Sequence, residues 1–64
     1  MVKINGEERD AAGQTITEYL TAANYNPKVI VVERNGEIVP KEDYGKIKIQ
    51  DGDVVEVVSF MGGG

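Results

Sequence analysis

The chain has 64 residues and a formal net charge of −4, and it contains neither cysteine nor histidine. This length allows one small domain without a deep interdomain cleft, which favours a binding module, a carrier or a subunit over a stand-alone enzyme. The composition excludes disulfides and thiolate or imidazole metal ligands, and the charge argues against nucleic acid and anionic membranes as partners. Valine and isoleucine number 15 against one leucine, so we expect a β-rich fold.

The first predicted elements are two strands joined by a tight turn. The N-terminal residues alternate apolar and polar side chains, which places Val2 and Ile4 on one face of a strand. Asn5 and Gly6 favour the positive φ angles of a two-residue type I′ hairpin. Residues 7–10 are then expected to return as a short polar strand at an edge of the sheet, where charges discourage association between sheets.

A helix follows, with a start signal of its own. After a loop over residues 11–14, Thr15 and Glu18 have the spacing of a capping box, in which each side chain bonds the backbone N–H of the other residue. We expect the helix to end near Asn24, because Pro27 disfavours helical geometry in the residue before it. Its apolar stripe has the spacing i, i+3, i+4 and i+7 and consists of Ile16, Tyr19, Leu20 and Ala23.

The second half of the chain predicts a further hairpin. Residues 28–34 include four consecutive apolar side chains, typical of a strand with both faces partly covered, and periodicity does not decide which face meets the helix. Asn35 and Gly36 form a second hairpin signal. The returning strand covers residues 37–39 and ends at Pro40, which cannot donate to a strand ladder.

The remaining elements complete an α+β pattern. A helical turn over residues 41–45 and a short extended segment over 46–49 are expected before the last strand, which is rich in valine. One helix and a mixed sheet of four or five strands form the β-grasp (ubiquitin-like) arrangement, whose first and last strands are parallel neighbours in the centre. The helix covers one face and leaves the other open. We expect residues 1–64 to form a single domain, with 59–64 as a flexible C-terminal tail.

The last strand predicts a docking face. Glu56 stands between valines and therefore marks the open face of the sheet. Val54, Val58 and Phe60 share its parity, whereas the valines at the alternate positions point towards the helix. With Met61, these three apolar residues are the candidates for partner docking, and Phe60 is the strongest because aromatic residues are enriched at interfaces. Ordinary half-buried neighbours at a sheet margin would give the same pattern.

Residues that could support catalysis in this chain have simpler explanations. Ser59 has no histidine to act as its base, and the sequence lacks the glycine-rich loops that bind phosphate. We interpret the tyrosines as residues at the margin of the core. The neighbouring carboxylates, which we interpret as solvated edge and turn residues, are Glu7 and Glu8, Glu42 and Asp43, and Asp51 and Asp53.

The chain ends in three glycines that follow the last strand almost directly. Gly62, Gly63 and Gly64 have no side chain to obstruct a narrow channel, and a glycine backbone can adopt angles closed to other residues. From Ser59 the extended tail reaches on the order of 20 Å. A carboxylate at its end becomes reactive as an acyl-adenylate, and attack by sulfur then gives a nucleophilic thiocarboxylate. The tail is therefore the candidate functional group.

The whole chain resembles the ThiS family, the sulfur carriers of thiamine biosynthesis. The resemblance is clearest at residues 12–15, 34–40 and 50–53, and most specific at the ending 59–64. It implies that an E1-like adenylyltransferase (ThiF type) adenylates Gly64, which becomes a thiocarboxylate and donates sulfur to thiazole synthase (ThiG type). Gly62 and Gly63 would provide access to the partner active sites.

The resemblance further implies a carrier rather than an enzyme. The chain would bind no cofactor of its own, and ATP and a sulfur donor would be used by the partner enzyme. We expect a monomer when free, in the reducing cytoplasm. Two alternatives remain: a sulfur carrier for molybdopterin or cysteine synthesis, and a β-grasp module that binds a partner non-covalently through the face around Phe60.

Overall fold

The computed structural model describes residues 1–59, and within them one helix packs on five strands. The strands are β1 (Val2–Ile4), β2 (Glu7–Arg9), β3 (Ile30–Arg34), β4 (Glu37–Ile38) and β5 (Val54–Ser59), and the helix α1 (Ile16–Ala22) lies between β2 and β3 in the chain. Two 3₁₀ turns cover Pro27–Val29 and Lys41–Asp43. In this described part no helix is long and apolar enough to cross a membrane.

The sheet is mixed, with the strand order β2-β1-β5-β3-β4. β1 and β5 are parallel, with Lys3 opposite Val54 and Ile4 opposite Val55, and the other neighbouring strands are antiparallel. The first and last strands therefore lie side by side inside the sheet, and the predicted β-grasp fold is confirmed. Ser59, which we assigned to the tail, is the final residue of β5 and lies opposite Ile30. Residues 60–64 are outside the described part.

Both hairpins form at the predicted asparagine–glycine pairs. Asn5 and Gly6 have φ angles of 52° and 82°, and Asn35 and Gly36 have φ angles of 53° and 87°. Positive φ at both central residues is the geometry of the type I′ turn, whose twist matches that of the flanking strands. The turns therefore set the register of β1 with β2 and of β3 with β4.

The capping box at the start of α1 is confirmed. The Thr15 hydroxyl accepts from the Glu18 N–H at 3.1 Å, and the Thr15 N–H donates to the Glu18 carboxylate at 2.8 Å. The helix ends at the expected place, but the direct cause is Asn24, which has a φ of 64°. The following Tyr25 N–H bonds back to the Leu20 carbonyl at 2.9 Å, which satisfies one of the carbonyls at the helix end.

The core lies between α1 and one face of the sheet. Ile16 and Leu20 are buried at its centre, whereas Ala23 is exposed, because it is the C-cap residue and the predicted stripe stops before it. Tyr19 and Tyr25 pack at the margin as expected, but Tyr44 is buried within the core. The other buried apolar residues are Val2, Ile4, Ala11, Ile30, Val32, Val39, Ile49, Val55 and Val57.

Four predicted strands are shorter or less regular than expected. β3 begins at Ile30 rather than at residue 28, because Pro27 starts a 3₁₀ turn whose cap, Asn26, accepts from the Lys28 N–H at 3.0 Å. The segment 46–49 is not a regular strand and forms only an isolated bridge at Lys48. The edge strands β2 and β4 each stop one residue earlier than predicted, before Asp10 and Val39.

Candidate functional site

The alternation of β5 divides its side chains between the core and the open face. Val55 and Val57 are buried, whereas Val54 and Val58 are each 46% exposed and Glu56 is exposed between them. The predicted parity is therefore confirmed over the described part of the strand. A docking role for the exposed valines remains a prediction.

The other predicted site residues lie outside the described residues. They are Phe60, Met61, Gly62, Gly63 and Gly64. What the structure does establish is the element that precedes them. β5 lies between two neighbours, β1 and β3, and its ladder with β3 runs to Ser59. The C-terminal residues thus follow directly from an interior strand of the sheet.

A buried aspartate fixes the start of β5. Asp53 is only 7% exposed, and its carboxylate accepts from the Arg34 guanidinium at 2.8 Å, the Asn35 side-chain amide at 3.0 Å and the Gln50 N–H at 2.9 Å. Burial by itself would raise the pKa of Asp53, but these three donors outweigh it and lower the pKa below the ordinary 3.8. Our interpretation of Asp53 as a solvated turn residue was wrong.

Both hairpin asparagines also bind β5 directly. The Asn35 side-chain carbonyl accepts from the Val54 N–H at 2.9 Å, and the Asn35 N–H donates to the Val54 carbonyl at 2.7 Å. Further along the strand, the Asn5 side-chain carbonyl accepts from the Val57 N–H at 2.8 Å. The two turns therefore hold the strand at two places. The sequence had indicated only their role in the hairpins, since nothing in an Asn-Gly pair specifies a distant partner.

Most of the remaining paired carboxylates are exposed as expected, whereas Asp43 is half-buried. Glu7 pairs with Arg9, and Asp51 pairs with the N-terminal ammonium group, with both partners exposed in each pair. Residues 1–59 contain no group of three or more acidic side chains arranged to hold a metal ion. None of these residues has the geometry of a catalytic pair.

A shallow groove of about 440 Å³ lies beside α1, away from the open face. Its lining includes the half-buried rings of Tyr19 and Tyr25, and burial raises the pKa of Tyr19 above its ordinary value of 10.0. The Tyr25 hydroxyl accepts from the Asn5 side-chain amide at 3.5 Å. The groove contains no nucleophile activated by a neighbouring base, so it does not have the features of an active site.

Comparison with known proteins agrees with this geometry. The family profile of the ThiS family matches residues 2–64. The chain belongs to the ThiS family. The sulfur carrier protein ThiS of Bacillus subtilis is 38% identical over 68 residues, covering 100% of both chains. A crystal structure of the thiamine biosynthesis protein ThiS from Geobacter metallireducens superimposes with a TM-score of 0.78 at 36% identity, covering 98% of this chain and 97% of that one.

A second kind of ThiS relative is much longer than this chain. A thiazole synthase of Paramagnetospirillum magneticum is 45% identical over 62 residues, which is 95% of this chain but 19% of that protein. This chain thus spans about a fifth of the length of such relatives. A ThiS-like stretch and a thiazole synthase are therefore found within one polypeptide.

Proposed function

We propose that this chain carries sulfur on the carboxylate of Gly64 and delivers it for thiazole formation. An E1-like adenylyltransferase of the ThiF type joins a Gly64 oxygen to the α-phosphate of ATP, and pyrophosphate leaves. Sulfur from a donor then displaces AMP and leaves a thiocarboxylate. ATP and the sulfur donor are bound by the partner enzyme, so the carrier needs no cofactor of its own.

Membership of the ThiS family confirms that the chain is a sulfur carrier of thiamine biosynthesis and not an enzyme. Partner enzymes act on it. The relatives in which a ThiS-like stretch lies within a thiazole synthase support the proposal that a thiazole synthase of the ThiG type receives the sulfur. A covalent link between carrier and recipient raises their effective concentration, which is useful only where the two must meet.

The observation that carries the proposed mechanism is the position of β5. This strand pairs with β1 at Val54 and Val55 and with β3 from Val55 to its end at Ser59. Two hairpin asparagines also hold it. Five residues follow, ending in Gly62, Gly63 and Gly64. A rigid domain of this kind provides a handle, while the glycines provide access to the partner active sites.

Docking and location complete the proposal. Val54 and Val58 offer exposed apolar surface on the open face, and we propose that Phe60 and Met61 extend the same docking surface towards the tail. The free carrier is proposed to be a monomer in the cytoplasm. A chain without cysteine depends on no disulfide and suits a reducing compartment.

One added residue distinguishes the carrier from a non-covalent docking module. An alanine placed after Gly64 buries the glycine carboxylate in a peptide bond, so we expect thiazole formation in a reconstituted assay to fall to background. The same alanine placed before Met1 is the matched control and should leave the rate unchanged. The exposed valines alone would also suit a docking module, which would tolerate the C-terminal alanine but lose its partner in Phe60→Ala. Full activity of the extended chain would contradict the carrier proposal.

A further inference from the structure

The open face of the sheet places two glutamates opposite each other. In the antiparallel pairing of β3 with β5, Glu33 is the direct partner of Glu56. Glu56 lies between the buried Val55 and Val57, and Glu33 follows the buried Val32, so both side chains lie on the face away from α1. Directly opposed residues of antiparallel strands have Cβ atoms about 4.5–5.5 Å apart, and like charges in this arrangement are destabilising. The free protein thus maintains an unfavourable charge pair in the middle of its exposed face.

No ion pair formed within residues 1–59 relieves this repulsion. The ion pairs there join Met1 to Asp51, Arg9 to Glu7 and Arg34 to Asp53. Arg34 follows Glu33 directly in β3, but its side chain is committed to Asp53. Lys3 shares the open face, and its direct neighbours across the sheet are Val54 and Glu8 rather than either member of the glutamate pair.

Apolar side chains surround the two carboxylates. Along β5, Val54 and Val58 lie on either side of Glu56, and across the sheet Ile38 lies opposite Glu33. Ile38 is 67% exposed, which is high for so large an apolar residue. We call this surface the open-face patch, which consists of Val31, Glu33, Ile38, Val54, Glu56 and Val58.

We propose that the open-face patch docks on thiazole synthase and accepts one arginine of that protein between Glu33 and Glu56. The recipient is taken from the proposed function, on which this inference therefore rests. Two carboxylates within an apolar rim suit a cation that is both weakly hydrated and able to bond two acceptors at once. A guanidinium meets both requirements through its planar fork of five N–H donors, whereas an ammonium is more strongly hydrated.

The apolar rim makes the pairing effective. When the surrounding valines and Ile38 are covered by the partner, water leaves the carboxylates and their attraction to the guanidinium strengthens. The arginine also removes the repulsion between Glu33 and Glu56. The same two residues thus lower the stability of the free carrier and strengthen its complex.

The test measures binding and stability in the same variants. Glu33→Gln and Glu56→Gln are titrated into purified thiazole synthase of the same organism by calorimetry, with Glu42→Gln as a control of equal charge on the exposed turn Lys41–Asp43. We expect each patch variant to raise Kd about tenfold at low salt, and the control to leave Kd unchanged. Because exposed charges are screened, the difference should shrink as salt rises. In the free protein, each patch variant should raise the unfolding midpoint.

Weaker binding together with higher stability of the free protein distinguishes docking from a structural defect. Unchanged binding of both patch variants overturns the inference, as does an equal weakening by Glu42→Gln. A fall in the unfolding midpoint of Glu56→Gln also overturns it, because the pair would then be stabilising. Thiocarboxylate formation on Gly64 is measured separately by intact mass. A wild-type chain that forms the thiocarboxylate while the patch variants bind normally leaves the proposed function intact and removes only this inference.

Discussion

Deletion of Gly64 is expected to abolish sulfur transfer while the domain remains folded. The truncated chain still ends in a glycine carboxylate, that of Gly63, but this group lies about 3.5 Å short of its place in a partner active site. A misplacement of about 1 Å already costs about a hundredfold in rate, so we expect a loss of at least that size. Thiazole formation in the reconstituted system is the readout.

Gly64→Ala is the matched control for this deletion. It keeps the length of the tail and adds one methyl group beside the reactive carboxylate, so it should retain measurable transfer. Thermal unfolding of both variants should match the wild type, because each change is confined to the last residue of the chain, five residues after β5 ends. A truncated chain that supports thiazole formation at the wild-type rate would contradict the assignment of the reactive group to Gly64.

Replacement of Asp53 by asparagine should cause the largest loss of stability. The Asp53 carboxylate is buried and accepts from Arg34, Asn35 and Gln50. Asparagine removes the charge, turns one acceptor into a donor and leaves the guanidinium without its partner. Loss of one partner from such a network costs about 2–4 kcal/mol. The core of a domain of this size contributes only about 3–5 kcal/mol to the free energy of unfolding. Much of the variant should therefore be unfolded at 37 °C.

The same carboxylate predicts how stability depends on pH. The pKa of Asp53 in the folded chain lies below the ordinary 3.8. The contribution of this carboxylate to the free energy of unfolding is therefore complete above about pH 4 and is lost as pH falls through the folded pKa. Asp53→Asn should therefore show a smaller loss of stability on acidification than the wild type. Asp51→Asn is the control: Asp51 is exposed, so its replacement should cost no more than about 1 kcal/mol. Urea unfolding at several pH values measures both, and equal costs for the two variants would contradict the network.

Local signals in the sequence predicted most of the fold. The two Asn-Gly pairs, the Thr15–Glu18 capping box and the alternation of β5 each determine a structure within a few residues, and each is present. The order of elements was enough to select the β-grasp topology. The strand assignments were wrong where a turn competed with the apolar pattern, as at Pro27, whose fixed φ starts a 3₁₀ turn before β3.

Long-range side-chain contacts and the register between distant strands were what the sequence could not provide. Asp53 is buried beside Arg34 and Asn35, which lie 19 and 18 residues earlier in the chain, and an Asp-Gly-Asp sequence gives no sign of that contact. The pairing of Glu33 with Glu56 depends in the same way on the register of β3 with β5. The apolar run before Glu33 left its face undecided, and only the register resolves it.

The most direct measurement is the intact mass of the carrier after incubation with its E1-like enzyme, ATP and sulfide. We expect one oxygen to be replaced by sulfur, and fragmentation to place the change on the C-terminal residue Gly64. Omission of ATP should leave the mass unchanged, because the carboxylate must first be adenylated. An unaltered mass in the complete reaction, or sulfur on any other residue, would contradict the sulfur-carrier mechanism proposed for this chain.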